Sequence, residues 1–461
     1  MSKNKKSHRK GLGEAEQNTA YTSKKTLSGR HTMENNSAIV NRKYLILGLL
    51  CFTWIINYFD KIAINVAAIP ISKQFGLNES QVGLILSSFF LSYAIIQPIG
   101  GWLSDKFGSR KVILASALMW SLFTIMTGWA WSFTALLVIR FLFGIGEGSY
   151  PSASTVAVAE SFPHKQRARA KSVLTSATTI GGMLGSLISA FLITKLGWEN
   201  MFMVLGVVGL AVCVILFFFL KPPIQEKKTA AQAAKVKVPF KKLLTKPLIW
   251  QMMLMYFGSS IVTWGMNSWM PTYLVKVRHL SMVSMGALSS IPAIVAFVGV
   301  LVLGWLLDKK FLAGREKYVI MIGALVSCLC IYLMFQAPSI SYVVFYQCLA
   351  ALGSLGVITP ALTMPLKYLP KEIVGSATGI VYFGGQVAGI IAPSLMGYMI
   401  QINNGSFTAA FWVMIVAMIV PFITGMTLRT KGLSSDPENR DESQSGGSIG
   451  TKEEAAPEFV R

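Results

Sequence analysis

Apolar stretches long enough to cross a bilayer recur along almost the whole chain, separated by short connections rich in Gly, Ser, Lys and Arg. A hydrocarbon core about 30 Å thick takes about 20 helical residues to span. Such windows fall at 44–69, 80–103, 111–130, 133–159, 170–194 and 200–220. They resume at 248–275, 281–307, 317–337, 340–365, 373–401 and 407–428. The runs are too uniformly apolar for the period-two alternation of a membrane barrel, and in lipid only helices and closed barrels satisfy every backbone group. The pattern predicts an all-α polytopic membrane protein with twelve transmembrane helices. The first run follows a long polar stretch and exceeds the apolar core of a leader peptide, so it reads as a retained helix.

The polar positions divide the chain. Residues 1–43 and 429–461 are polar tails, and 221–247, with Pro222, Pro223 and several lysines, is a linker between the blocks 44–220 and 248–428. An internal echo supports two related six-helix bundles. Gly101-Trp102-Leu103-Ser104-Asp105-Lys106 after the second segment returns as Gly304-Trp305-Leu306-Leu307-Asp308-Lys309 after the eighth, and Pro163 is echoed by Pro370. Two repeats with a site between them is a recurrent transporter plan.

Composition agrees: 53% of residues are hydrophobic and only 13% charged, where soluble domains carry about 25% charged residues. A net charge of +22 would suit nucleic acid if it formed one surface. Instead the basic residues gather in the tails and in alternate connections, which the positive-inside rule assigns to the cytoplasm. The expectation is a cell-membrane protein with both termini cytoplasmic, in contact with lipid and not with nucleic acid. The five cysteines are scattered through apolar runs with neither a disulfide framework nor metal-ligand spacing. No paired-histidine or nucleophile-elbow motif is present, which argues against an enzyme, a metal site or a bound cofactor.

Four charges interrupt the apolar runs: Asp60 and Lys61 in the first segment, Arg140 and Glu147 in the fourth. Each costs roughly 2.5–3.5 kcal/mol at the bilayer centre, so their retention points to pairing across a polar solute pathway. Arg140 and Glu147 are two helical turns apart, roughly 10 Å along one face. That is too far for a direct pair, but both can face one chamber. Asp60 and Lys61 point about 100° apart, so one can face the chamber while the other meets a neighbouring helix. A carboxyl group deprived of water can hold a proton at neutral pH, which makes Glu147 a candidate proton carrier. Arg140, always charged and able to grip a carboxylate with two parallel hydrogen bonds, is the candidate anion anchor. A fixed Glu–Arg brace between helices is the structural alternative.

The loop after the second segment resembles the signature of the major facilitator superfamily, carried here by Gly101, Asp105, Lys106, Gly108, Arg110 and Lys111. Within it, Asn57-Tyr58-Phe59-Asp60-Lys61, Arg140 with Gly144, Glu147, Gly148 and Pro151, and the stretch Gly375–Pro393 resemble the anion:cation symporter family, whose members carry hexuronates, glucarate and galactonate. The resemblance implies a proton-coupled symporter of an organic anion, a sugar acid in the first instance, working as a monomer by alternating access. It implies that Asp60 shares proton binding with Glu147, that Lys61 partners the substrate carboxylate, and that Tyr58 and Tyr93 lie near the site. Gln97, Thr178, Thr179, Asn267, Tyr382 and Gln386 are further candidate substrate contacts. Tyr256 and Trp264 offer further aromatic groups, though Trp and Tyr at such positions are more often belt or core residues. Gly101, Asp105, Arg110 and Lys111 would form a conformational latch. Lys61 stands where the family usually has Arg, and Tyr382 where sugar-acid members usually have Asn. A drug/proton antiporter is the runner-up, but 177–190 lacks the Gly-Pro pair that its fifth helix normally contains. A receptor is the alternative of a different class.

Overall fold

The computed structural model describes residues 42–220, 245–307, 314–369 and 371–428. Nearly all of both tails, most of the linker, and Asp308, Lys309 and Pro370 of the internal echo lie outside these. Everything described is helix or short connection.

The first helix, α1 (Arg42–Phe75), runs beyond its apolar window. Its last turns are held within the same half, where the Trp198 indole donates to Gln74 Oε1 at 2.6 Å. α2 (Glu79–Phe107) opens with a reciprocal capping box between Asn78 and Gln81, which satisfies two otherwise orphaned donors. α3 (Ser109–Gly128) follows. The fourth crossing runs as α4 (Phe133–Gly148) and α5 (Tyr150–Ser161), which meet at Ser149 with helical backbone angles there and Pro151 at the start of the second piece. Proline is preorganised for a first helical turn and cannot continue a preceding one.

α6 (His164–Phe219) holds two crossings joined at Gly197, whose φ of 83° interrupts the helical conformation. A residue with a side chain rarely adopts that backbone, so the reversal is made there. The remaining helices are α7 (Pro247–Lys276), α8 (Met282–Leu307), α9 (Glu316–Gln336), α10 (Ile340–Tyr368), α11 (Lys371–Ile402) and α12 (Thr408–Thr427). Among the described residues, ten helical stretches are long and apolar enough to cross a membrane. Separating the two arms of α6 and adding the 30-residue α7 gives twelve crossings among the described residues.

The two halves meet where α2 packs on α11 and α6 packs on α8. The contacts cluster toward the end carrying the α1–α2 turn. Lys276 Nζ pairs with Glu79 Oε1 at 3.2 Å, and Ser394 Oγ donates to Ser87 Oγ at 2.7 Å. At Gly83 the helices approach so closely that a Cβ would stand 2.5 Å from the Pro393 carbonyl oxygen. The molecule is closed at this end.

Candidate functional site

α1 and α4 bring all four intramembrane charges into the interior. Asp60 is 0% exposed, Arg140 and Glu147 1%, and Lys61 8%. Their positions follow from close helix crossing. A Cβ at Gly144 would lie 2.1 Å from Ser92 Oγ and 2.5 Å from the Phe89 carbonyl. Only glycine lets α4 approach α2 this closely, and that approach sets Arg140 and Glu147 beside the Lys61 side chain.

The adjacent pair on α1 diverges as helical geometry requires. Asp60 turns toward α3, where Thr124 Oγ1 donates to its Oδ2 at 3.2 Å. Lys61 turns toward α2 and α7, its Nζ 3.9 Å from Glu147 Oε1. Arg140 does not pair directly with Glu147. Its Nη2 donates to Thr127 Oγ1 at 3.1 Å, and its guanidinium carbon sits 4.7 Å from the Phe143 ring centre and 5.0 Å from that of Phe202. Glu147 nonetheless lies within electrostatic reach of Lys61, Asp60 and Arg140. Two positive and two negative groups thus form one neutral cluster.

That cluster is incompletely satisfied. Asp60 Oδ1, Arg140 Nε and Glu147 Oε2 are buried with no hydrogen-bond partner among the described residues. The same holds for both polar side-chain atoms of Asn57, one turn before Asp60 on α1. Buried polar groups nearly always find partners, and exceptions of this kind concentrate where a protein exchanges protons or ligands.

A cavity between the halves touches Lys61 and Arg140 and is otherwise walled mainly by Ile85, Phe89, Phe143 and Trp264. Its free space is about 10 Å³, the volume that admits about one water. The sequence leads one to expect a polar chamber that the buried charges share. At this point the structure leaves room for about one water, with Phe89, Phe90 and Phe143 of the first half and Trp264 of the second filling the space beside the charges.

The remaining candidates separate into groups. Tyr93 is buried and lies within electrostatic reach of Glu147, Tyr58, Tyr256 and Tyr382, so α1, α2, α7 and α11 each contribute a phenol. Tyr256 and Tyr382 meet edge-on at 5.7 Å, and Tyr382 is 40% exposed, giving this group an opening. Gln386, a turn beyond Tyr382, keeps its Oε1 buried and unpartnered among the described residues. Asn267 is half-buried on α7. Gln97 uses its backbone carbonyl to accept from Ser152 Oγ at 2.8 Å, and Thr178 spends its hydroxyl on the Thr175 carbonyl at 2.7 Å. Thr179 is half-buried beside it.

The loop-signature residues stand apart from the cluster. Arg110 donates through Nε to the Leu220 carbonyl and through Nη2 to that of Phe217 at 2.6 Å. It thereby ties the start of α3 to the end of α6, within one half. Asp105 and Lys111 are exposed and Gly101 is half-buried against α5. Sequence reasoning missed Asn57 and Thr124 as contributors, and it favoured a belt or core role for Trp264, which lines the cavity beside Lys61. Asn57 carried a signal, being a polar residue one turn from two buried charges. Thr124 carried none.

The family description Major Facilitator Superfamily matches residues 50–314 and 310–457. A probable sulfoacetate transporter of Cupriavidus necator is 30% identical over 400 residues, covering 81% of this chain and 91% of that protein. The hexuronate transporter of Bacillus subtilis is 30% identical over 388 residues, covering 80% and 90%. A probable galactarate/D-glucarate transporter of Escherichia coli K12 is 30% identical over 417 residues, covering 82% and 93%. Among solved structures, a bacterial homolog of the human lysosomal transporter Spinster, inward-facing and unoccupied, superposes with a TM-score of 0.71 at 20% identity. It covers 84% of this chain and 97% of that one, and at this identity it speaks for the fold alone. The matched length, the twelve crossings and the paired halves agree that this chain belongs to the Major Facilitator Superfamily.

Proposed function

We propose that this transporter carries a small organic anion across the cell membrane by proton-coupled symport, with sugar acids the first class to test. The observation that carries the reading is the buried cluster of Asp60, Lys61, Arg140 and Glu147, neutral overall yet left with unpartnered carboxylate oxygens. Relatives named for sulfoacetate, hexuronate and galactarate/D-glucarate supply the substrate class, since each of those solutes is a small organic anion.

The chemistry follows from charge balance. With both carboxylates ionised, Lys61 and Arg140 are internally neutralised and hold no anion. Protonating Glu147 or Asp60 leaves a net positive interior, and a carboxylate or sulfonate can then settle on Arg140 and Lys61. Tyr58, Tyr93, Tyr382, Asn267 and Gln386 supply hydroxyl, amide and aromatic contacts to its body, with Gln97, Thr178 and Thr179 on the approach. Loss of the proton restores the internal pairing and expels the anion. The blocks 44–220 and 248–428 rock about this site as a monomer, with Gly101, Asp105, Arg110 and Lys111 steadying the cytoplasmic face and both tails cytoplasmic. The proton is the coupling ion, and no resident cofactor is required.

Purified protein in proteoliposomes tests the reading with sulfoacetate, glucuronate and glucarate as probes. An inward proton gradient is expected to accelerate uptake of at least one of them. Glu147→Gln should keep anion exchange while losing proton-driven accumulation, and Arg140→Ala should lose both. Full proton-driven accumulation by Glu147→Gln would remove that carboxylate from the mechanism. Binding without flux would make the protein a receptor.

A further inference from the structure

The Lys61 ammonium is held less by its carboxylate than by rings. Its distance of 3.9 Å to Glu147 Oε1 is at the outer edge of an ion pair. Five aromatic ring centres lie close to Nζ: Tyr93 at 4.3 Å, Phe89 at 4.6 Å, Trp264 at 5.2 Å, Phe90 at 5.3 Å and Tyr58 at 5.9 Å. Ring faces within about 6 Å attract a cation, most strongly when water is excluded and when the ring is an indole. Four of these rings come from α1 and α2. Trp264 alone comes from the second half, on α7, and it packs on Phe90 at 4.6 Å. Phe90 in turn fills the place of a side chain at Gly389 of α11, where a Cβ would lie 2.3 Å from its ring.

We propose that Trp264 is a positioning residue: it completes an aromatic cage around Lys61 only when the halves are docked, and so couples the charge of the first half to closure of the molecule. When α7 moves away, the cage loses the one wall that belongs to the other half. The ammonium then keeps Glu147 and the four rings of its own half but gains an open side on which to meet an anion. When α7 returns, the indole takes the place of bulk water on Lys61. The cage stands on its own geometry, and only its consequence for flux rests on the transport reading.

The test separates a π face from mere bulk. Trp264→Leu and Trp264→Phe both leave an apolar side chain, but only Phe presents a ring. Thermal unfolding of the purified proteins is expected to place the Leu variant about 2 °C below the Phe variant. In a background neutralised by Lys61→Met with Glu147→Gln, that gap should shrink to what ring packing on Phe90 alone supplies. Trp264→Met serves in place of Leu should that protein not be recovered. In proteoliposomes the Leu variant should lower the maximal rate of glucuronate exchange about fivefold, with the Phe variant within about twofold of the parent. Equal stability of Leu and Phe variants in the parent protein, or a gap of undiminished size without the Lys61 charge, would reduce Trp264 to packing and overturn the proposal. Should the parent carry none of the probes, the unfolding comparison still decides whether the cage exists.

Discussion

Lys61 and Glu147 are each other's nearest opposite charges, and both are buried. Removing one partner of a buried pair leaves a bare charge out of water, typically costing about 3–5 kcal/mol, whereas replacing both is often nearly neutral. Lys61→Met should therefore lower the unfolding midpoint markedly, and adding Glu147→Gln should recover most of the loss. Calorimetry or thermal fluorescence of the three proteins checks this, and a double variant as unstable as the single one would mean that the aromatic cage, not Glu147, is what Lys61 needs. At this scale the sequence is informative about charges and silent about their company. Asp60, Arg140 and Glu147 stood out because a charge in an apolar run is costly wherever it points. The ring cage draws on α1, α2 and α7, and no spacing along the chain records a convergence of three helices.

The α2–α4 crossing is the element on which the site's geometry depends. A side chain at Gly144 must displace Ser92 and the Phe89 backbone, as a Cβ would come within 2.1 Å and 2.5 Å of them. Overpacking of this kind costs about 1–3 kcal/mol, and backbone on one side leaves little room to yield. Gly144→Val should lower the unfolding midpoint and weaken probe binding together, because it moves Arg140 and Glu147 as well as straining the crossing. Gly48→Ala is the control: nothing lies within 4 Å of its added Cβ, and helical Ala is favoured over Gly by about 1 kcal/mol. Its midpoint should stay level or rise. Helix existence was legible from apolar length throughout. The junction at Ser149 was not, since the window 133–159 reads as one segment, although Pro151 marks the start of the second piece. The reversal at Gly197 was expected only as a gap between two windows; its φ of 83° shows why it is so short.

Two related halves were visible in the repeated Gly-Trp-Leu motif, but not which end of the molecule is closed, because every state of an alternating machine shares one sequence. The closed end is held by helix contacts and by the Lys276–Glu79 pair, whose side chains are 44% and 24% exposed. An ion pair this wet contributes about 0–1 kcal/mol, too little to matter for folding. It is enough to alter a balance between two states of similar energy, where such an amount changes the ratio by up to about fivefold. Glu79→Lys should therefore leave the unfolding midpoint nearly unchanged while opening this end more often. The opening can be read at Ser394, whose hydroxyl meets Ser87 across the interface. With the five native cysteines replaced, Ser394→Cys should react with a membrane-impermeant thiol reagent about two- to fivefold faster once Glu79→Lys is added. The swapped pair, Glu79→Lys with Lys276→Glu, should bring the rate back. An unchanged rate would show that helix packing alone holds this end shut. An increase that the swap does not reverse would assign the effect to Glu79 at the start of α2 rather than to its partner on α7.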